Sequence, residues 1–76
     1  MALIKKMVKV ERNASVHKEV QADYQVFEIK GKKYLQINSY GSATRKDVGK
    51  LSQSMQFNED SIRQLINLLK ETIDEN

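Results

Sequence analysis

Chemistry in this chain is concentrated in side chains that bind rather than side chains that react. Tyr34, Gln36, Asn38 and Tyr40 recur at every second position, the spacing that puts them on one face of an extended strand. Ser52, Ser54 and Gln56 repeat the pattern further on, and Arg45, Lys46 and Lys50 stand between the two series. Phenol rings give bases a stacking platform worth roughly 1–3 kcal/mol each, amides and hydroxyls hydrogen-bond base edges, and Arg and Lys follow phosphates. These ten residues therefore form a candidate surface for single-stranded nucleic acid. The same alternation also marks the wet side of any antiparallel sheet, where Tyr, Thr and Gln need no ligand. A binding face and a merely solvated face are both compatible with the pattern.

Catalysis has little to stand on. His17 is the single histidine, it lies in the least patterned segment, and there is no Cys, so neither a metal site nor a thiol nucleophile is expected. The acidic pairs Glu59/Asp60 and Asp74/Glu75 are explained by a helix start and a chain end. Ser52 and Ser54 lack a base that the sequence places beside them. Gly41-Ser42 and Val48-Gly49-Lys50 lack the spacing of a phosphate loop, and Gly49-Lys50 leads into a strand rather than a helix. No catalytic residue, metal or cofactor is expected, and the chain reads as a non-enzyme.

Seventy-six residues with three Gly and no Cys, Pro or Trp make one domain. A chain of this length buries only about 60% of its unfolded surface. Without disulfides or metal, packing must hold it, an economy that a second copy can share. Hydrophobic residues at 39% and charged ones at 30% describe a folded chain rather than a disordered tail. Lys5 and Lys6 interrupt the apolar start at once, so no signal segment or membrane span is expected and the protein reads as cytoplasmic. The Asn13-Ala14-Ser15 sequon is then a chance match.

The net charge of +3 hides an asymmetry. Residues 1–50 carry eleven Lys/Arg against five Asp/Glu, giving +6, and residues 51–76 carry two against five, giving −3. A basic part beside an acidic one points to a polyanion-facing surface, because phosphate attraction sums over many charges. Lysine-rich strands also keep sheet edges from aggregating.

The elements that must position these residues are legible in outline. Ile4–Val10 alternates as a strand, with Lys6 as a blemish. Residues 13–22 read as a connection. Tyr24–Ile29 and Lys33–Tyr40 flank Lys30-Gly31-Lys32 as a hairpin, with Leu35 and Ile37 on the face opposite the amides and phenols. Residues 41–49 form an exposed loop, and Lys50–Phe57 a fourth strand with Leu51, Met55 and Phe57 on one side. Asn58 caps a helix over residues 58–75. Its stripe of Ile62, Leu65, Ile66, Leu69 and Ile73 faces the core, and Leu68 and Thr72 widen the stripe. That extra width fits either a partner or the margin of the chain's own sheet. The expected domain is α+β: residues 1–22 as first strand and connection, 23–57 completing a four-stranded antiparallel sheet, and one helix across its inner face.

The ββββα order, the Lys-Gly-Lys hairpin, the Leu35-x-Ile37-x-x-Tyr40 strand and the strand running into a capped helix together resemble the positive-cofactor-four-type transcriptional coactivators and their bacterial relatives. The likeness covers about residues 24–73. It implies a curved sheet backed by a C-terminal helix, a homodimer formed through the helices, and single-stranded DNA bound with little sequence preference. Carried onto this chain, Tyr34, Gln36, Asn38, Tyr40, Arg45, Lys46 and Lys50 would face DNA, and Leu65, Leu68, Leu69 and Thr72 the second copy. Asn38 stands where that family has Arg after the central Ile, and Gln53-Ser54-Met55 where its last strand begins Lys-Gly-Ile. A stretch like Tyr40-Gly41-Ser42, Arg45, Gly49-Lys50, Ser52-Gln53-Ser54 and Gln56-Phe57 is closer still to small bacterial proteins sometimes found on mobile elements such as integron cassettes. That likeness names no activity. It leaves a second expectation, a protein-interaction module whose Ser/Gln/Tyr sheet face docks a protein partner while Lys and Arg steer the encounter.

Overall fold

In the computed structural model, which describes residues 1–40 and 51–74 (the backbone alone at Leu51 and Ser52), four strands and one helix follow in the order ββββα. The strands are β1 (Ala2–Ile4), β2 (Ala22–Ile29), β3 (Lys32–Tyr40) and β4 (Leu51–Phe57), and the helix is α1 (Glu59–Asp74). They form one sheet in the order β1-β4-β3-β2. The β2–β3 and β3–β4 pairs are antiparallel, but β1 runs parallel to β4, so the sheet is mixed and not wholly antiparallel as expected. A tight turn forces its flanking strands antiparallel, whereas β1 is separated from the rest by seventeen residues, room enough for either direction.

The β2–β3 hairpin turns on two residues. Lys30 and Gly31 both have positive φ, 54° and 78°, and Ile29 pairs with Lys32, the backbone of a turn whose twist matches that of the strands. Gly31 supplies its conformation without steric cost, and Lys30 holds one that side-chain-bearing residues seldom adopt. The ladder runs one step past β2, where the Tyr40 N–H donates to the Gln21 carbonyl at 3.1 Å. Between Ser39 and Tyr40 the β3–β4 register shifts, so that Tyr40 lies opposite Leu51.

Register sorts the sheet into two faces. One carries the rows Val26–Leu35–Phe57–Ile4 and Tyr24–Ile37–Met55–Ala2. Its centre is Phe57, 4% exposed and the one buried apolar side chain among the described residues. The other face carries Gln25–Gln36–Gln56–Leu3 and Asp23–Asn38–Ser54, with Phe27 across from Tyr34.

The helix begins as the sequence predicts. Asn58 and Ser61 cap it reciprocally: the Ser61 N–H donates to Asn58 Oδ1 at 2.9 Å and the Asn58 N–H to Ser61 Oγ at 3.0 Å. Ile62 N–H closes the first turn on the Asn58 carbonyl at 2.8 Å. Ser61 is wholly buried, a position a small hydroxyl residue fills while satisfying free donors of the first turn. Glu59 reaches back so that its Oε2 accepts the Lys33 N–H at 3.2 Å, tying the helix start to β3. Its surface ion pairs to Arg63, shared with Asp60, are 3.6 Å long and contribute little.

Beyond the first two turns the helix leaves its own sheet. It touches β3 and β4. Ile62 and Leu65 are half-buried, but Ile66, Leu69 and Ile73 are 48%, 52% and 81% exposed. The expected core stripe is thus only partly used, and the helix does not lie across the whole apolar face. Tyr24, Val26 and Met55 are left exposed on that face. The first strand is also displaced from the expected Ile4–Val10: it covers Ala2–Ile4, shares only Ile4 with that span, and residues 5–21 are outside any helix or strand. Adjacent Lys5 and Lys6 break the alternation needed for one face to stay apolar.

Candidate nucleic-acid interface

Four of the ten expected site residues, Tyr34, Gln36, Asn38 and Tyr40, lie half-buried along β3. Ser54 and Gln56 join them from β4 through the Asn38–Ser54 and Gln36–Gln56 pairs. The backbone of Ser52 lies in β4, and Arg45, Lys46, Lys50 and the expected loop lie outside the described residues. The residues the sequence reading missed come from β2: Asp23, Gln25 and Phe27 face the same side, opposite Asn38, Gln36 and Tyr34.

Hydrogen bonds join this face into one network. Gln56 Nε2 donates to Gln36 Oε1 at 2.9 Å, and Gln36 Nε2 donates to Asn38 Oδ1 at 2.8 Å. Ser54 Oγ, itself buried, donates to the same Asn38 oxygen at 2.7 Å. Asn38 Nδ2 then donates to Asp23 Oδ1 at 2.7 Å, and the Tyr40 hydroxyl to Asp23 Oδ2 at 2.6 Å. Every link points toward the Asp23 carboxylate, so the amide dipoles reinforce one another along the row. Each amide also keeps unused capacity: Gln56 Oε1 and one N–H each on Gln36, Asn38 and Gln56 are uncommitted by these bonds. The result is a flat, pre-organised row of donors and acceptors.

Beside it stands an aromatic pair. The Phe27 and Tyr34 rings stack with centroids 5.5 Å apart and planes inclined by 22°, an offset arrangement worth about 0.5–1.5 kcal/mol beyond area burial. Lys32 shares this face beside Tyr34, and Lys30 lies in the adjoining turn, so the aromatic end of the face is cationic and the Asp23 end anionic. Lys33 lies on the opposite face, across from Glu28.

Hydrogen bonds from Tyr40 first and Asn38 second hold the Asp23 carboxyl below its ordinary pKa. The same Tyr40–Asp23 bond raises the Tyr40 phenol above its ordinary value, because ionisation would remove the donor and set two negative charges together. The lowered carboxyl contributes stability above its unfolded pKa that is lost as pH falls through the folded value. The raised phenol contributes stability below its unfolded pKa that is lost as pH climbs through the folded one. The pair is therefore intact between the two ranges. Asp23→Asn should bring the Tyr40 titration back down toward an ordinary phenol, read from the ring-carbon shift of labelled tyrosine. An unchanged midpoint would mean that the bond does not form.

Among the described residues no three His, Cys, Asp or Glu gather to hold a metal, and no helix is long and apolar enough to cross a membrane. The expected dimer set lies on α1, with Leu65 half-buried and Leu68, Leu69 and Thr72 exposed. The Thr72 hydroxyl donates to the Leu68 carbonyl at 2.8 Å. Compared with known proteins, the chain matches no family model, no curated protein and no solved structure.

Proposed function

We propose that this protein is a non-catalytic, homodimeric binder of single-stranded nucleic acid that acts through the amide and aromatic face of its sheet, in the manner of a transcriptional coactivator. The observation that carries the reading is the continuity of that face: the Phe27–Tyr34 stack runs directly into the Gln36, Asn38, Ser54 and Gln56 row. Bases can stack on the rings while their edges meet the uncommitted amide groups. Lys32 on that face and Lys30 in the adjoining turn, with Arg45, Lys46 and Lys50 of the 41–50 segment, supply the phosphate attraction.

One observation favours a second reading. Asp23 puts a carboxylate at the end of the row and ties up Asn38 and Tyr40, a feature better suited to a protein partner bearing donors than to a phosphate chain. Tyr34→Ala separates the two. It should weaken binding of a single-stranded oligonucleotide by roughly 1–3 kcal/mol, about five- to 150-fold, as measured by fluorescence anisotropy. Undiminished affinity would remove the stacking platform from the account.

The homodimer is supported by surface area. The chain exposes 7070 Å², against roughly 4,800 Å² for a compact protein of its mass. Its radius of gyration is 14.7 Å, against about 11 Å for a compact domain of this length. Two chains that bring their excess together would hide area in the range of obligate dimers, about 2,000 Å² or more in total. Tyr24, Val26 and Met55 of the sheet and Leu68, Leu69 and Ile73 of the helix are among the exposed apolar residues available for it.

A further inference from the structure

Residues 5–21 form a long arm that no element of its own chain covers. Apart from Met7 every residue in it is exposed, including Val8 at 74% and Val10 at 60%. Ordering such a stretch costs about 1–2 kcal/mol per residue in backbone entropy alone, and an arm that buries almost nothing recovers little of that. It is nevertheless anchored. The Gln64 side chain grips Met7 from both sides, Oε1 accepting its N–H at 2.9 Å and Nε2 donating to its carbonyl at 2.7 Å. This double bond to one residue is the pairing a neighbouring strand would give, and it holds the arm alongside α1.

Between the arm and the helix lies a groove of about 560 Å³, walled by Val8 and Val10 on one side and by Leu68, Glu71 and Thr72 on the other. The charges on its two components are complementary in a specific sense. Along the part of the arm beside the groove, Lys5, Lys6, Lys9 and Arg12 outnumber Glu11, whereas the end of α1 carries Glu71 and Asp74 against Lys70, with no basic residue in its last turn. The negative end of the helix dipole thus has no cation in its own last turn.

Resting on the homodimer reading, we infer that the groove receives the C-terminal half of α1 from a second copy. Leu69 and Ile73 of that copy lie against Val8 and Val10, and the arm cations face its Glu71 and Asp74. Two-fold symmetry makes the contact twice, which brings exposed valines, exposed helix residues and opposite charges together in one interface. The arm is then a wall of the dimer rather than a loose connection, and its alternating Val8 and Val10 acquire the apolar neighbours that its own sheet does not provide.

Sedimentation equilibrium of the full chain and of Val8→Asp/Val10→Asp tests this. Both valines are exposed within the protomer, so the variant should keep its circular dichroism. Its dimer dissociation constant should rise by at least about 30-fold, some 2 kcal/mol. Because the chain has no cysteine, Val10→Cys and Ile73→Cys chains can also be mixed and oxidised, and a mixed disulfide dimer should dominate over either like pair. A dimeric parent whose double variant dimerises as tightly, with no mixed disulfide, would overturn the arm's role and leave the homodimer standing. A parent that stays monomeric would overturn both.

Discussion

Replacing Phe57 by Ala should unfold the isolated chain at room temperature. Truncating a buried Phe costs about 3–5 kcal/mol, and a single core in a chain this short seldom supplies more than about 3–5 kcal/mol in all. Phe57 is the one apolar side chain among the described residues that is buried outright. It sits at the centre of the row from Val26 through Leu35 to Ile4, at the point where β4 passes into α1. No neighbouring buried side chain can fill the space it would leave. Far-ultraviolet circular dichroism under urea titration checks this. A cooperative transition shifted by less than about 1 kcal/mol would mean that the core lies elsewhere.

Leu69→Glu should act in the opposite way, sparing the fold and abolishing the dimer. Leu69 is 52% exposed in the protomer, and Glu and Leu have similar helix propensities, so helical content should hold. In a two-fold dimer each substitution is made twice. It removes the burial of two leucines, about 1.5–3 kcal/mol each, and sets two carboxylates in an apolar contact. The dissociation constant should therefore rise at least about a thousandfold, some 4 kcal/mol. Sedimentation equilibrium showing the variant still dimeric at the parent's affinity would remove the helix from the interface.

Much of the fold was legible because local chemistry dictated it. Alternation along residues 34–40 and 51–57, the Gly31 turn, and Asn58 ahead of Glu59 and Asp60 each specify an element without reference to the rest of the chain. The direction of β1 was not legible, since nothing local distinguishes parallel from antiparallel pairing across so long a connection. The reach of the helix was also hidden. An apolar stripe says that a face is covered, not by what, and Ile66, Leu69 and Ile73 carry the same pattern whether they meet their own sheet or another chain.

The candidate site was half legible, and the missing half turns on one residue of turn length. A three-residue turn over Lys30-Gly31-Lys32 puts Phe27 across from Leu35, on the apolar side. The two-residue turn actually formed puts it across from Tyr34, and Asp23 and Gln25 come to the polar side with it. A one-residue change in pairing moves a whole strand's side chains to the other face. The positive φ that Gly31 accepts so readily was the signal for the shorter turn.

The central claim is that the polar sheet face takes single-stranded nucleic acid, and anisotropy of one labelled oligonucleotide of about 20 nucleotides tests it most directly. The strand is titrated with the protein, single and as a duplex, at about 50 and about 200 mM salt. With about four phosphates neutralised, the log–log slope for a single strand is near −3, so affinity should fall roughly 50-fold across that range. Preference for the single strand together with that steep loss is the predicted result. Absence of binding at the lower salt, or binding indifferent to salt, would contradict the claim and make the Gln36, Asn38 and Gln56 row a docking surface for a protein.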